Sequence, residues 1–348
     1  GPTVPIAARM EQLANPGEVF LTSTTRALAD DRIETSTLDP VSVKGVSEPV
    51  KVFTLRRVTQ PEESKVYTRN TSFIGRRSEL NQFRGILDTC IEEAHGQSVY
   101  IRGEPGIGKT RLVEEFIRIA ANNGFISHRG LVLPFGVGKG QDAIRSLVRS
   151  LLDVPVAGGE SIRQQIAAAA LDKGRLHPDQ AVFLNDLLDI PQAAEQRALY
   201  DAMDHATRNK GKRQVVVNLL TTQGDLQPVL VVIEDVHWAD AITLAHLAAL
   251  SKAVADCPAI LVMTSRIEGD QVDHSWRSTT QGSPFLTIDL GPLREQDSIA
   301  LISQFIDSAD PIATSCLERE AGNPLFLEQL LQSAKEGTAQ NLPDTIQS

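Results

Sequence analysis

Eight consecutive residues carry the clearest chemistry in this chain. Gly103-Glu104-Pro105-Gly106-Ile107-Gly108-Lys109-Thr110 fits the spacing G-x-x-x-x-G-K-[ST] at every fixed position. Glycines at those places let the backbone curl so that successive N–H groups converge on one anion. A helix starting directly after the turn adds its positive N-terminal end at the same point. The Lys109 ammonium can reach the β- and γ-phosphates of a nucleotide, and the Thr110 hydroxyl can ligate Mg²⁺. With glycine at about 7% of residues, the four fixed positions coincide by chance in on the order of 1% of chains this long. A strand before and a helix after favour a phosphate loop over an accidental turn. Gly136-Val137-Gly138-Lys139-Gly140 lacks the Ser/Thr and the upstream glycine, and reads as a flexible loop.

Val229-Leu230-Val231-Val232-Ile233 is an apolar run that ends in Glu234-Asp235. Carboxylates at the end of a buried strand are costly unless they meet a cation or donors. The carboxyl ends of parallel strands are also where open α/β sheets bind ligands. One acid can hold Mg²⁺ while its neighbour orients an attacking water. Both Glu234 and Asp235 are therefore metal candidates beside Thr110; by position Glu234 suits the metal and Asp235 the water. Thr264-Ser265-Arg266 ends a further strand candidate, where Arg266 could sense a γ-phosphate. Glu234, Asp235 and Arg266 make up the expected catalytic set. His237 has no second His or Cys at ligand spacing, which favours packing or hydrogen bonding over a metal role.

These residues need a sheet to position them, and the chain is long enough for one. Its 348 residues suggest roughly two domains. A hydrophobic share of 41% and a charged share of 22% fit a chain that buries a core. The net charge of −10 argues against a nucleic-acid binder with a dominant basic face. Arg208, Lys210, Lys212 and Arg213 form one basic cluster, read as a solvated helix face. Cys90, Cys257 and Cys316 stand far apart, which excludes a disulfide framework and fits a reducing cytoplasm. No run approaches the 18 or more apolar residues of a membrane span. The start, Gly1-Pro2-Thr3, shows no signal peptide and no initiator Met, so a fragment is expected.

Residues 1–58 read as one small α+β unit: a helix over Ile6–Ala14, a strand over Glu18–Thr22, and a hairpin of Val41–Val43 with Val50–Leu55. Residues 59–72 are polar and read as a linker. From 73 the pattern is α/β. Leu80, Phe83, Ile86, Leu87 and Ile91 repeat at helical spacing after Ser78, a plausible N-cap. Strands are predicted at Ser98–Ile101, Ile126–Leu133, Val229–Ile233, Ala259–Thr264 and Phe285–Leu290, with 140–220 largely helical. Strands alternating with helices imply a parallel sheet. The expected division is a core over 73–290 and a helical lid over 291–348.

At this point the residues resemble a known architecture. Phe73-Ile74-Gly75-Arg76-Arg77-Ser78-Glu79-Leu80, the phosphate loop, Glu234-Asp235-Val236-His237-Trp238-Ala239-Asp240 and Gly322-Asn323-Pro324-Leu325-Phe326-Leu327 occur in order. This is similar to the AAA-type P-loop ATPase module of the STAND signalling class, found in LuxR-type and cyclase-linked bacterial regulators. The resemblance implies an α/β P-loop NTPase with a parallel sheet flanked by helices. It implies ATP and ADP as ligands with Mg²⁺, bound by the stretch Gly103, Gly106, Ile107, Gly108, Lys109, Thr110 and Arg111. Ile74, Gly75 and Arg76 would lie near the adenine, and so would Pro324; Arg266 matches a sensor position. Members act as switches in which ADP holds a closed state and exchange for ATP opens it. A homo-oligomer in the ATP state and C-terminal helical repeats in a longer parent belong to the same implication.

Residues 1–58 resemble the tail of a class III adenylate/guanylate cyclase domain through Val4-Pro5-Ile6-Ala7-Ala8-Arg9 and Val43-Lys44-Gly45. The resemblance gives Arg9 a transition-state role and Lys44 a triphosphate role; the ribose-binding Asn is replaced by Pro5. The family's two metal-binding aspartates belong to a part outside this chain, so no cyclic nucleotide is expected from it. The leading expectation is an ATP-binding, slowly hydrolysing switch module. One alternative is the regulatory part of an active adenylate cyclase making cAMP from ATP. Another is a LuxR-like or Orc/Cdc6-like DNA-binding regulator.

Overall fold

A computed structural model describes residues 10, 14, 18–29, 33–38, 40–41, 49–58, 72–133, 141–155, 158–306, 313, 317 and 322–335. Arg9, Pro5, Lys44, Cys316 and the glycine run 136–140 lie outside them. The chain divides into two compact units, Gly1–Thr71 and Ser72–Ser348.

In the first unit, β1 (Phe20–Thr22), β2 (Ile33–Thr37) and β3 (Val52–Val58) form an antiparallel sheet in the order β1-β3-β2. Val41 and Val50 pair through two backbone hydrogen bonds of 2.9 Å; Val43 of the expected hairpin lies outside the described residues, and Val52–Leu55 pair with β1 and β2 instead. Two elements were not anticipated. The helix Ser23–Ala29 starts at Thr22, whose hydroxyl accepts from the Thr25 N–H at 3.2 Å. Strand β2, Ile-Glu-Thr-Ser-Thr, has one apolar residue and therefore no alternation to read.

The second unit is built on a parallel sheet of β4 (Ser98–Arg102), β5 (Ile126–Leu131), β6 (Val229–Glu234), β7 (Ala259–Ser265) and β8 (Phe285–Asp289), ordered β5-β6-β7-β4-β8. β6 and β7 are apolar nearly throughout because both faces are covered. On one face the helices Arg77–Glu93 and Lys109–Asn122 pack Leu80, Phe83, Leu112 and Phe116 against Val99, Val232 and Val262. The Phe83 and Phe116 rings stack at 3.9 Å. On the other face, helices between Gln141 and Ala253 bury Ile144, Leu147, Leu219 and Leu247 against Tyr100, Val231 and Met263. A third cluster joins Ile74 and Leu301 to Phe326, Leu327 and Leu330 of the helix Pro324–Lys335.

The helix Arg77–Glu93 starts one residue before Ser78, with no side-chain cap. Gly75 and Arg76 both adopt positive φ, 73° and 57°, and that turn sets the start instead. Ser78 donates to Glu79 at 2.6 Å. Among the described residues no helix is long and apolar enough to cross a membrane.

Candidate nucleotide site

The order of the strands builds the site. β4 delivers the phosphate loop, β6 delivers Glu234-Asp235, and β7 between them delivers Thr264-Ser265-Arg266. All three end at the carboxyl edge of one parallel sheet.

The loop needs its glycines. Gly106 has φ 78° and Gly108 φ 98°, a region L side chains rarely adopt. A Cβ on Gly106 would also lie 2.8 Å from the Asn323 Oδ1. Lys109 folds back over the loop, donating to the Gly103 carbonyl at 2.8 Å and the Glu104 carbonyl at 3.0 Å. Burial holds the Lys109 pKa below its ordinary value; the Asp235 carboxylate opposes that shift and the Arg266 guanidinium adds to it. Lys109, Asp235 and Arg266 thus share one electrostatic site. Thr110 is exposed on the first turn of the helix Lys109–Asn122. Arg111, next to it, pairs with Glu328 at 3.5 Å and donates to the Ser72 carbonyl at 3.3 Å.

The two acids have different surroundings. Glu234 shares the strand face of Leu230 and Val232, the face covered by the phosphate-loop helix. It is 9% exposed and accepts from Arg129 of β5 at 2.6 Å. Asp235 follows in a left-handed conformation, φ 59°, its N–H donating to the Thr264 hydroxyl at 3.1 Å. That turns its carboxylate out of the strand and leaves it 44% exposed. The donor set here is a hydroxyl and carboxylates, all hard oxygen ligands. Among the described residues no group of three or more His, Cys, Asp or Glu could cage a metal. Such a set fits Mg²⁺ shared with phosphate oxygens rather than a dedicated protein cage.

Ile74, Gly75 and Arg76 come to the same side. Arg76 donates to the Ile107 carbonyl at 3.2 Å and the Gly291 carbonyl at 2.6 Å. Burial lowers its pKa, while Glu79 and Asp297 raise it. Ile74 packs into the cluster of Phe326 and Leu327. Pro324 is the first residue of its helix, where a missing N–H costs nothing.

Four side chains at the site were not anticipated from sequence. Arg129 pairs with Glu234, and Thr264 receives the Asp235 amide. Asn323 donates to the Pro105 carbonyl at 2.9 Å, while its Oδ1 accepts from the Leu325 and Phe326 amides at 3.1 and 3.3 Å. Gln271 donates to the His237 carbonyl at 3.0 Å. Only Asn323 had a readable signal, an Asn directly before a Pro that opens a helix. Two of the four basic residues have internal partners: Arg208 lies over the Tyr200 ring and bonds the Asp201 carbonyl, and Lys212 pairs with Asp186 at 2.8 Å.

A family profile described as AAA ATPase domain matches residues 72–263. An uncharacterized protein of Rhizobium meliloti (strain 1021) is 25% identical over 365 residues, an alignment spanning 99% of this chain and 33% of that protein. The chain thus spans about a third of the length of that curated relative. Similar solved structures include a STAND protein with a tetratricopeptide repeat sensor from Pyrococcus horikoshii, at 16% identity and TM-score 0.42, covering 75% of this chain and 30% of that one. The ORC2 protein of Aeropyrum pernix, in ADPNP–ADP complexes, is 13% identical at TM-score 0.41, covering 77% and 65%. The RuvB Holliday junction branch migration motor of Thermotoga maritima is 12% identical at TM-score 0.40, covering 78% and 67%.

Proposed function

The chain belongs to the AAA ATPase domain family, and from that premise we propose that it is an ATP-binding, slowly hydrolysing switch module of the STAND kind. The observation that carries this reading is the glycine-built loop after β4, with positive φ at Gly106 and Gly108, set at the same sheet edge as Glu234-Asp235 of β6 and Arg266 after β7, and bonded by Asn323 at the start of the helix Pro324–Lys335. The core is residues 73–290 and the lid 291–348.

The loop amides and Lys109 bind the phosphates. Thr110 and Glu234, with Asp235 as the alternative carboxylate, hold Mg²⁺, which when bound neutralises phosphate charge. Asp235 orients water toward the γ-phosphorus. The water oxygen forms the new P–O bond, the bond to the β–γ bridging oxygen breaks, and that electron pair leaves on ADP. The water's proton passes to the Asp235 carboxylate and on to solvent. Arg266 stabilises charge on the γ-phosphoryl oxygens. Arg76, Gly75, Ile74 and Pro324 surround the base.

Residues 1–58 we read as cyclase-like on Val4–Arg9 and Val43–Gly45 alone. Cytoplasmic placement, a homo-oligomer in the ATP state and a regulatory role in a longer parent go with the STAND reading.

The test is the nucleotide content of the purified protein beside Lys109→Ala. ADP or ATP carried by the wild type and lost in the variant is the expected result. If neither carries nucleotide and ATP with Mg²⁺ fails to bind the wild type, the switch reading fails.

A further inference from the structure

His237 is the buried polar group at this site that the reading above leaves unused. Its residue is 8% exposed, and neither ring nitrogen makes a hydrogen bond within the described protein. Buried polar atoms rarely stay unpaired without a reason. Nδ1 stands 3.9 Å from the Asp235 Oδ1, about 1 Å beyond hydrogen-bond length.

The two groups differ in freedom. The imidazole is confined by burial and by packing on Trp238, with ring centroids 4.9 Å apart, and the backbone carbonyl of the same residue accepts from Gln271. The Asp235 carboxylate is half exposed and free to turn. The confined group can therefore capture the mobile one. The electrostatic neighbours of His237 are Asp235, Arg266 and Lys109, the same three that define the site. An imidazole protonated at Nδ1 has an N–H to give in that direction.

We propose that His237 is a positioning residue for ATP hydrolysis, its Nδ1–H hydrogen-bonding the Asp235 carboxylate and aiming that carboxylate at the attacking water. The role rests on the ATPase reading. His237 gains and loses no proton overall; the bond changes are those given for hydrolysis. Gln271 links this function to the turn after β7, because it stands five residues beyond Arg266 in that turn. Movement of Arg266 on meeting a γ-phosphate would thus reach the backbone of His237.

The experiment measures mant-ATP affinity and single-turnover hydrolysis for wild type, Asp235→Asn, His237→Phe and His237→Asn. The Asn amide nitrogen stands close to the place of Nδ1; Phe keeps the ring and loses the donor. His237→Phe should slow hydrolysis on the order of 10–100-fold, since an angstrom of misplacement costs that much. Affinity should stay within about threefold. His237→Asn should recover most of the rate. Hydrolysis by His237→Phe at the wild-type rate overturns the proposal, and so does His237→Asn as slow as His237→Phe. If the wild type does not hydrolyse ATP, the ATPase reading fails by itself, and ¹⁵N NMR of the His237 ring decides the pairing. An Nδ1–H tautomer that shifts in Asp235→Asn supports it; an Nε2–H tautomer overturns it.

Discussion

Asn323 ties the phosphate loop to the helix Pro324–Lys335, and its two ends can be separated. Its Oδ1 caps the helix Pro324–Lys335 and its Nδ2 holds the Pro105 carbonyl of the phosphate loop. A cap of this kind is worth about 1 kcal/mol, and a neutral side-chain hydrogen bond about 1 kcal/mol net. Asn323→Ala loses both, about 2 kcal/mol. Asn323→Asp keeps the cap, because Asp serves as well as Asn there and suits the helix dipole. It loses only the donor to Pro105, about 1 kcal/mol. Two measurements read these effects apart. In thermal unfolding Asn323→Ala should melt lower than Asn323→Asp. In stopped flow with mant-ADP both variants should release nucleotide about fivefold faster, the rate equivalent of 1 kcal/mol. Wild-type release from Asn323→Asp would refute the reasoning, since the helix would then be held without this contact. So would faster release in Asn323→Ala alone, which would assign the whole effect to the helix cap.

Three further outcomes are expected. Arg129→Ala removes the cation that competes for Glu234, so the Mg²⁺ concentration giving half-maximal nucleotide binding should fall; an unchanged midpoint removes Glu234 from the metal role. Phe116→Ala empties a fully buried ring site against Phe83 and should cost about 3–5 kcal/mol, read as a lower urea midpoint at unchanged m. His246 is 3% exposed, and burial pushes its pKa down to about 4 against about 6.5 when unfolded. Between these values the unfolded chain binds the extra proton. Stability should therefore be complete above about pH 6.5 and fall toward pH 4, by about 3 kcal/mol in full, and His246→Asn should flatten that stretch of the profile.

The parallel sheet was legible because β6 and β7 are apolar runs closed by acids or an arginine, and the glycine spacing marks the loop after β4. Their spatial order was not legible. Nothing local in Ala259–Ser265 says that it sits between β6 and β4. Yet that placement lets the Thr264 hydroxyl take the Asp235 amide and sets Asp235 apart from Glu234. By position alone Glu234 suits the metal and Asp235 the water; the strand's two-residue period and the left-handed turn at Asp235 give the two carboxylates their different surroundings. Arg129 was unreadable for a related reason. It lies 105 residues before Glu234, on a strand whose register alone brings them together. The helix start at Arg77 was misplaced because two positive-φ residues, rather than a capping hydroxyl, set it.

The same topology suggests how hydrolysis would be felt at a distance. Arg102 ends β4 and pairs with Asp289 at 2.7 Å, and with Asp270 at 3.0 Å; Tyr100 donates to the same Asp270. Asp270 lies in the turn that carries Arg266 and Gln271. That turn is therefore anchored at Asp270 to the strand bearing the phosphate loop and at Gln271 to His237. A γ-phosphate drawing on Arg266 would pull against both anchors. The start of the helix Pro324–Lys335 meets the loop on another side, at Pro105 and Gly106. Changes at the γ-phosphate would thus reach β4 through Asp270, and changes at the helix Pro324–Lys335 would reach the loop that follows β4. Breaking the Asp270 anchor with Asp270→Ala should leave nucleotide affinity near wild type and lower the hydrolysis rate, because the loop keeps its amides while Arg266 loses its footing. Loss of affinity and rate in equal measure would place Asp270 among the supports of the loop itself and remove the turn from the path.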